Sequence, residues 1–338
     1  MQGVTTVGLD LAKNVFQVHA IDSAGKVLAR RQLRRAEVLR FFSALPQCLV
    51  GMEACASAHH WARELVALGH EVRLMPPAYV KPYVKRGKTD AADAEAICEA
   101  VTRPTMRFVA VKTVDQQAVL MLHKTRDLLV RQRTMLVNAL RGHLAEYGVV
   151  HRQGAVGVAA AIQALHEARD ALPELARDAL HTLADQLRGL STEIERMEAR
   201  IVAWHRGNET SRRLATIPGI GPITASAIAA AVPDASLFRS GRQFAAWLGL
   251  TPRAHSSGGK ERLGGISKQG DGYLRRLLVV GATAMVRLAR KNAERQPWLA
   301  RLLGRKPAKV AAVALANKMA RVAWAVTTRK EVYAAPAA

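Results

Sequence analysis

A chain of 338 residues that is 49% hydrophobic and 23% charged can bury a substantial core and has room for about two domains, which excludes a disordered polymer. Its 50 Lys and Arg stand against 27 Asp and Glu, a formal net charge of +23, so the expected partner is a polyanion, nucleic acid before lipid. Cys48, Cys55 and Cys98 lack CxxC spacing, which argues against a zinc ribbon or disulfide framework and fits a reducing compartment with the thiols as small core residues.

In chain order, TTVGLDLA, VFQVHAID and KVLARRQL read as short strands, with Ser23-Ala24-Gly25 as the turn between the last two. The spacing predicts a helix over Ala36–Leu45, a strand at CLVGME, a helix over His59–Leu68 and a fifth strand, EVRLM, stopped by Pro76-Pro77. Three strands in a meander followed by helix-separated strands is the order of a ribonuclease-H-like α/β domain. A basic loop, Lys81–Lys88, leads into Asp90. Helical periodicity then runs from Asp115 to about Tyr147 and from about Val156 to His205, with breaks expected at Pro173 and Gly189, so a long antiparallel helical hairpin acting as spacer or dimerisation arm is expected. From Ser211 a mainly helical region begins with IPGIGPITASAIAAA, passes through FAAWLGLTP to a Gly/Ser-rich loop, and returns to helix from Gly272.

Charge is uneven along this order. Between Arg253 and Lys330 there are 18 Lys or Arg against 3 Asp or Glu, whereas residues 161–200 carry 5 Arg against 8 acids. The C-terminal quarter is therefore the expected electrostatic footprint. No leader pattern stands at the N-terminus, and the apolar stretch Val310–Val326 is interrupted by Asn317, Lys318 and Arg321, so no membrane span and a cytoplasmic location are expected.

Against this basic background four acids fall in order: Asp10 ends VGLD, Glu53 ends LVGME, and Asp90 and Asp93 stand three apart in TDAADAEAI. Two strand-end carboxylates can share a pocket if their strands are neighbours, and an i, i+3 pair projects from one helix face. Two divalent cations about 3.5–4 Å apart, held by such oxygen ligands, clamp the attacking and leaving oxygens of a phosphodiester. Mg²⁺ is the expected ion, with Mn²⁺ as the alternative. Singly, each acid has a structural reading: Asp10 as a strand-end hydrogen-bonder, Glu53 as a surface acid, Asp90 as a helix cap.

IPGIGPITA has the form of a helix-hairpin-helix turn, in which Gly219 and Gly221 let backbone N–H groups approach a phosphate. Ser256 and Ser257 lie in HSSGGK, where His255, Lys260 or a metal could activate a hydroxyl, and Lys260, Arg262, Lys268, Arg275 and Arg276 could hold phosphates, as could Lys85, Arg86 and Lys88 in the earlier basic loop. With aromatics at 5%, backbone electrostatics rather than base stacking should dominate affinity.

VGLDLAK, the Glu of LVGMEA, KTDAADAEAI, IPGIGPITA, FAAWLGLTPR and SSGGKERLGGISKQGDGYLRRLL together resemble the DEDD transposases of bacterial insertion sequences, specifically the 1111 group of the insertion-sequence 110 family, over nearly the whole chain. The resemblance implies a RuvC-like catalytic domain over residues 1–112, a coiled-coil-like helical hairpin over 113–206 and a C-terminal transposase domain over 207–338. It implies that Asp10, Glu53, Asp90 and Asp93 bind metal. Ser257, or its neighbour Ser256, would form a phosphoserine link to DNA in a site completed by a partner subunit's carboxylates. It further implies donor and target DNA, an element-encoded bridge RNA as guide, and a homodimer that becomes a tetramer on DNA. The rival expectations are a RuvC-like junction nuclease in which water attacks, and a non-catalytic nucleic-acid-binding protein.

Overall fold

The computed structural model describes residues 2–85, 89–150, 162, 163, 165, 167, 172–260, 262–294 and 296–334. Arg86, Lys88 and most of the stretch expected to be helical between Val156 and Pro173 lie outside them. The chain divides into two compact units, Met1–Gln116 with Val232–Leu237, and Gln117–Ala231 with Phe238–Ala338.

The first unit is built on a five-stranded sheet in the order β3-β2-β1-β4-β5. Strand β1 (Thr6–Asp10) runs antiparallel to β2 (Val15–Ile21), which runs antiparallel to β3 (Val27–Arg34), while β4 (Leu49–Glu53) is parallel to β1 and β5 (Glu71–Met75) is parallel to β4. This mixed α/β arrangement is consistent with a ribonuclease-H-like domain. Thr6 through Leu9 are all buried, so central β1 is a continuous buried run rather than an alternation of buried and exposed residues. Helices α1 (Val38–Ser43) and α2 (Ala58–Ala67) supply Phe41, Phe42, Trp61 and Leu65 to a core with Leu9, Phe16, Val50, Met52 and Leu74. The expected helix over Ala36–Leu45 is shorter because Arg35–Glu37 forms a 3-10 turn first. A second cluster of Met75, Val80, Ile97, Ala100 and Val101 joins α3 (Pro77–Val80) and α4 (Asp90–Val101) to the sheet.

Helix α5 (Val114–Glu146), in the second unit from Gln117 onward, and α6 (Glu174–Gly207) form the long elements, with Leu140, Leu144, Leu180, Ala184 and Leu187 in one buried cluster. Pro173 is the N-cap of α6, as expected from its fixed φ and missing N–H. Gly189 does not break it: a helix-interior glycine costs about 1 kcal/mol, which the buried face through Leu187, Ile194, Met197 and Ile201 outweighs. There follow α7 (Glu209–Leu214), α8 (Pro222–Ala231), α9 (Gly241–Trp247), a two-stranded hairpin of β6 (Pro252–Ala254) and β7 (Leu263–Ile266), then α10 (Gly272–Lys291), α11 (Pro297–Leu303) and α12 (Ala308–Arg329). By length and composition α12 is the one helix among the described residues that is apolar enough to cross a membrane. It packs against α9 and α10, burying Ala312, Ala316, Met319 and Ala323, and the Asn317 amide donates to the Leu250 carbonyl at 3.1 Å.

Candidate metal centre and serine hairpin

Strands β1 and β4 are paired through Leu9 and Met52, so the next residues, Asp10 and Glu53, emerge side by side at the same edge of the sheet. Each half-buried acid stands two residues after a glycine, in Val-Gly-Leu-Asp and Val-Gly-Met-Glu. The glycines explain how α4 reaches the acids. A Cβ on Gly8 would fall 2.1 Å from the Ala94 carbonyl oxygen and 2.5 Å from the Cys98 nitrogen, and one on Gly51 would fall 2.7 Å from Cβ of Val101. Helix α4 therefore lies directly on the backbone of β1 and β4, a proximity that only glycine permits. Neither residue was singled out from the sequence; the signal was the repeated Val-Gly-apolar-acid pattern.

That close approach brings the first turn of α4 to the strand ends. Asp10, Asp90 and Asp93 each offer a carboxylate oxygen, and the three oxygens lie within 4.8 Å of one another. Thr89, rather than Asp90, caps the helix: its hydroxyl accepts from the Ala92 N–H at 3.2 Å, which leaves Asp90 to the cluster. Glu53 is outside this group of three, although both Glu53 and Asp10 act electrostatically on Cys55, whose thiol is pushed up first by burial and then by these charges. Cys48 and Cys98 are buried as expected, each pushed up to about 11 by burial; Cys55 is exposed, contrary to the expectation of three core thiols. Three hard oxygen donors, partly open to solvent, suit a divalent cation that keeps water or phosphate in its remaining positions.

On the same helix, α4, Glu95 accepts from Lys85 at 2.5 Å, and Arg30 approaches its other carboxylate oxygen at 3.5 Å. The hydrogen bond from Lys85 holds the Glu95 carboxyl below its ordinary value. The Lys85 side chain is 80% exposed, so a phosphate can compete for it.

In the second unit, HSSGGK is a hairpin rather than an irregular loop. His255 N–H donates to the Arg262 carbonyl at 2.8 Å and Lys260 N–H to the Ser257 carbonyl at 3.1 Å. Gly258 and Gly259 take φ of 56° and 75°, the two positive values that a type I′ turn requires. The Ser256 hydroxyl accepts from the Arg262 N–H at 3.2 Å, whereas the Ser257 hydroxyl makes no hydrogen bond among the described residues. Both serines and Lys260 are exposed at the tip, and Arg262 is exposed beside it.

The remaining expected phosphate ligands divide. The Arg275 guanidinium donates to the carbonyls of Leu248 at 2.9 Å and Gln269 at 2.8 Å, which ties α10 to the turn before it. Arg276 pairs with Asp127 and lies over the Tyr273 ring at 5.4 Å. Lys268 sits in the left-handed region, φ 56°, with its N–H donating to the Gly249 carbonyl at 3.1 Å. Gly219, φ 89°, faces inward: a Cβ there would press on Met285 and Met319 at 3.0 Å, and a Cβ on Gly281 would fall 2.0 Å from the Gly219 carbonyl oxygen, so Gly281 admits no side chain. Gly221 faces open space.

An acidic centre that could hold a divalent cation, on a mixed sheet followed by a mainly helical unit, is the arrangement expected of a DEDD-type enzyme. A family model described as Transposase IS116/IS110/IS902 family matches residues 211–297, and a DEDD transposase model of the IS110 type matches residues 7–149. The probable family 20 transposase of Pseudomonas aeruginosa is 54% identical over 333 residues, covering 98% of each chain. The transposase for insertion sequence element IS1111A of Coxiella burnetii is 42% identical, covering 98% of this chain and 92% of that one. A pilin gene-inverting protein of Moraxella bovis is 26% identical over 59% of this chain and 53% of its own. The chain belongs to the IS110/IS116 family of DEDD transposases, and is a DNA transposase of an insertion sequence.

Proposed function

We propose that the protein excises and inserts its own insertion sequence through a covalent serine intermediate, guided by an RNA that the element encodes. The observation that carries the reading is that one chain holds both a carboxylate cluster and a serine hairpin whose tip hydroxyl, on Ser257, makes no hydrogen bond among the described residues. Asp10, Asp90 and Asp93, with Glu53 at the adjoining strand end, would hold Mg²⁺ (Mn²⁺ as a substitute). The ion would supply charge neutralisation at the phosphate and a more acidic bound hydroxyl.

The chain's own residues do the rest. Ser257 Oγ gives up its proton and bonds to phosphorus; the bond from phosphorus to the leaving sugar oxygen breaks, and that oxygen takes a proton. A hydroxyl of the partner strand then attacks the phosphoserine and restores the serine, so the bond energy is conserved for religation. Ser256 is the weaker candidate because its oxygen already serves the Arg262 N–H. Lys260, Arg262 and Lys268 would hold phosphates in this unit, and Lys85, with Arg86 and Lys88, in the other. The Moraxella relative's name describes gene inversion, which requires cutting and rejoining, and so favours recombination over simple hydrolysis. Val114, Met121, Leu128 and Met135 of α5, each between 47% and 70% exposed and seven residues apart, support a coiled-coil contact between copies, hence a homodimer and, with two DNA partners, a tetramer. A cytoplasmic location follows from this reading.

The test combines full-length protein, the RNA flanking the element, matching donor and target DNA, and Mg²⁺, followed by denaturation, digestion and mass spectrometry of the hairpin peptide. A nucleotide on Ser257, absent in Ser257→Ala and Asp10→Ala, is expected. Clean cutting without an adduct would leave a water-dependent junction nuclease, and full activity without RNA would remove the guide.

A further inference from the structure

The scarcity of aromatic residues hides a local concentration. The chain has five tyrosines, and two of them, Tyr79 and Tyr83, stand four residues apart on the segment that joins β5 to α4. Together with Pro82, Thr105, Met106 and Arg107 they line an open cavity of about 380 Å³, within the roughly 300–1,000 Å³ usual for small-molecule sites. Tyr83 packs at its base against the buried cluster of Val80, Ile97 and Val101, so its ring is held, while Tyr79 is 44% exposed and Arg107 is exposed with no acidic partner among the described residues. Tyr83 also borders a second cavity of about 340 Å³ walled by Lys85, Ala92, Glu95, Ala96 and Glu99.

The lining chemistry separates possible occupants. Two phenol rings, a proline ring and a thioether present flat apolar surface, whereas the hydroxyls of Thr105 and the tyrosines and the Arg107 guanidinium are polar. A lipid chain would leave Arg107 unused, and an anion alone would leave the rings unused. A planar base with a phosphate at its edge uses both, and a base offers its face to a protein only when it is unpaired. In a chain of net charge +23 that acts on DNA, such a ligand is at hand.

We propose that this cavity captures one unpaired nucleobase of the DNA strand on which the transposase acts, stacked on Tyr79 and Tyr83 with the adjoining phosphate on Arg107. Its place has a consequence. Tyr83 precedes Asp90 by seven residues, and the helix that walls the second cavity carries Asp90 and Asp93 in its first turn. Base capture would fix the path of a melted strand relative to the helix that supplies the carboxylates. The inference rests on DNA as substrate and is independent of the serine and guide-RNA readings.

The test is binding by the full-length protein without divalent cation, so that neither cleavage nor the serine step enters. The probes are a short mixed-sequence single-stranded oligodeoxynucleotide, its duplex and its RNA counterpart, followed by anisotropy. Tyr79→Leu, an exposed position, should weaken single-stranded DNA about ten-fold and the duplex by less than about two-fold, while Tyr79→Phe and Tyr83→Phe stay within about two-fold of the parent. Arg107→Gln should weaken binding and lower the salt slope by about one phosphate. A 5-iododeoxyuridine probe should crosslink to Tyr79 or Tyr83. Equal losses on single strand and duplex, no loss in Tyr79→Leu, or crosslinks only elsewhere would overturn the proposal. A loss confined to the RNA probe would overturn the assignment to DNA.

Discussion

The acidic centre of the first unit and the serine hairpin of the second present their functional groups in opposite ways. Asp10, Asp90 and Asp93 project from elements whose neighbouring residues, Leu9, Ala94 and Ile97, are at most 1% exposed, so folding of the core places the carboxylates. Ser257 projects from a hairpin in which every residue from Arg253 through Lys260 is exposed, held by a few backbone hydrogen bonds and a Gly-Gly turn. A preformed cation site can be built only on buried scaffolding, because gathering like charges costs free energy that packing must offset. Under the proposed serine chemistry, a nucleophile that engages large substrates needs local shape and exposure more than a core.

The comparison breaks most visibly at Asp10. Asp10→Asn should reduce strand cleavage at least about a hundred-fold, beyond the 10–100-fold typical of residues that only support metal ligands. The same variant should melt at or above the parent's temperature without divalent cation, because it relieves repulsion among oxygens within 4.8 Å. A fall in melting temperature together with retained cleavage would show Asp10 to be a structural strand-end hydrogen-bonder.

The two kinds of glycine sharpen the contrast. Gly8→Ala pushes a methyl into the α4 backbone at 2.1 Å and should cost about 3 kcal/mol in a denaturation experiment. Gly258→Ala meets nothing within 4 Å and should cost only the left-handed backbone, about 1 kcal/mol, without touching the global transition. Equal costs would mean that the hairpin is packed after all.

Burial has its own signature in the second unit. His123, 1% exposed, accepts at Nδ1 from the Tyr273 hydroxyl at 3.0 Å and donates from Nε2 to Ser226 Oγ at 3.1 Å, since that hydroxyl gives its proton to the Pro222 carbonyl at 2.7 Å. Burial, with Arg126 adding to it, pushes His123 down to about 4. A histidine depressed in the folded state contributes stability that is complete above its unfolded value near 6.5 and is lost as pH falls toward 4. The loss should be roughly 3 kcal/mol between pH 7 and pH 4, read as the difference in pH slope between the parent and His123→Leu. Identical slopes would mean that the site is open to water.

What was legible in the sequence follows the same division. The five strands in chain order and the acids at their ends were readable because alternation, apolar runs and Pro76-Pro77 are local signals; that β1 and β4 are sheet neighbours was not. Gly8 and Gly51 were not, because what makes them glycine is a helix some ninety residues away in one case and fifty in the other, and only the fold reveals the approach of Ala94 and Val101. Gly219 was readable as a turn, but its inward packing on Gly281 depends on a helix sixty residues later. The charges of Arg275 and Arg276 were legible, but not their partners inside the fold, the carbonyls of Leu248 and Gln269 and the carboxylate of Asp127. The hairpin at HSSGGK was hidden by its polarity, since two adjacent glycines mark a type I′ turn only when short strands flank them.

The smallest expected effects separate the two serines. Ser257→Ala removes an exposed hydroxyl with no bond inside the described residues, so its melting temperature should match the parent's, within about 0.5 kcal/mol of stability. Ser256→Ala removes the acceptor for the Arg262 N–H, but that N–H is exposed and can turn to water, so the cost is again about 0.5 kcal/mol, confined to the hairpin and seen as faster amide exchange at Arg262. Stability therefore cannot distinguish the two; chemistry can. If Ser257 is the nucleophile, Ser257→Ala loses the protein–DNA adduct entirely while Ser256→Ala keeps it at a lower rate, because the tip is then less firmly shaped. The reverse pattern would assign attack to Ser256, whose hydrogen bond to Arg262 would then have to break before reaction.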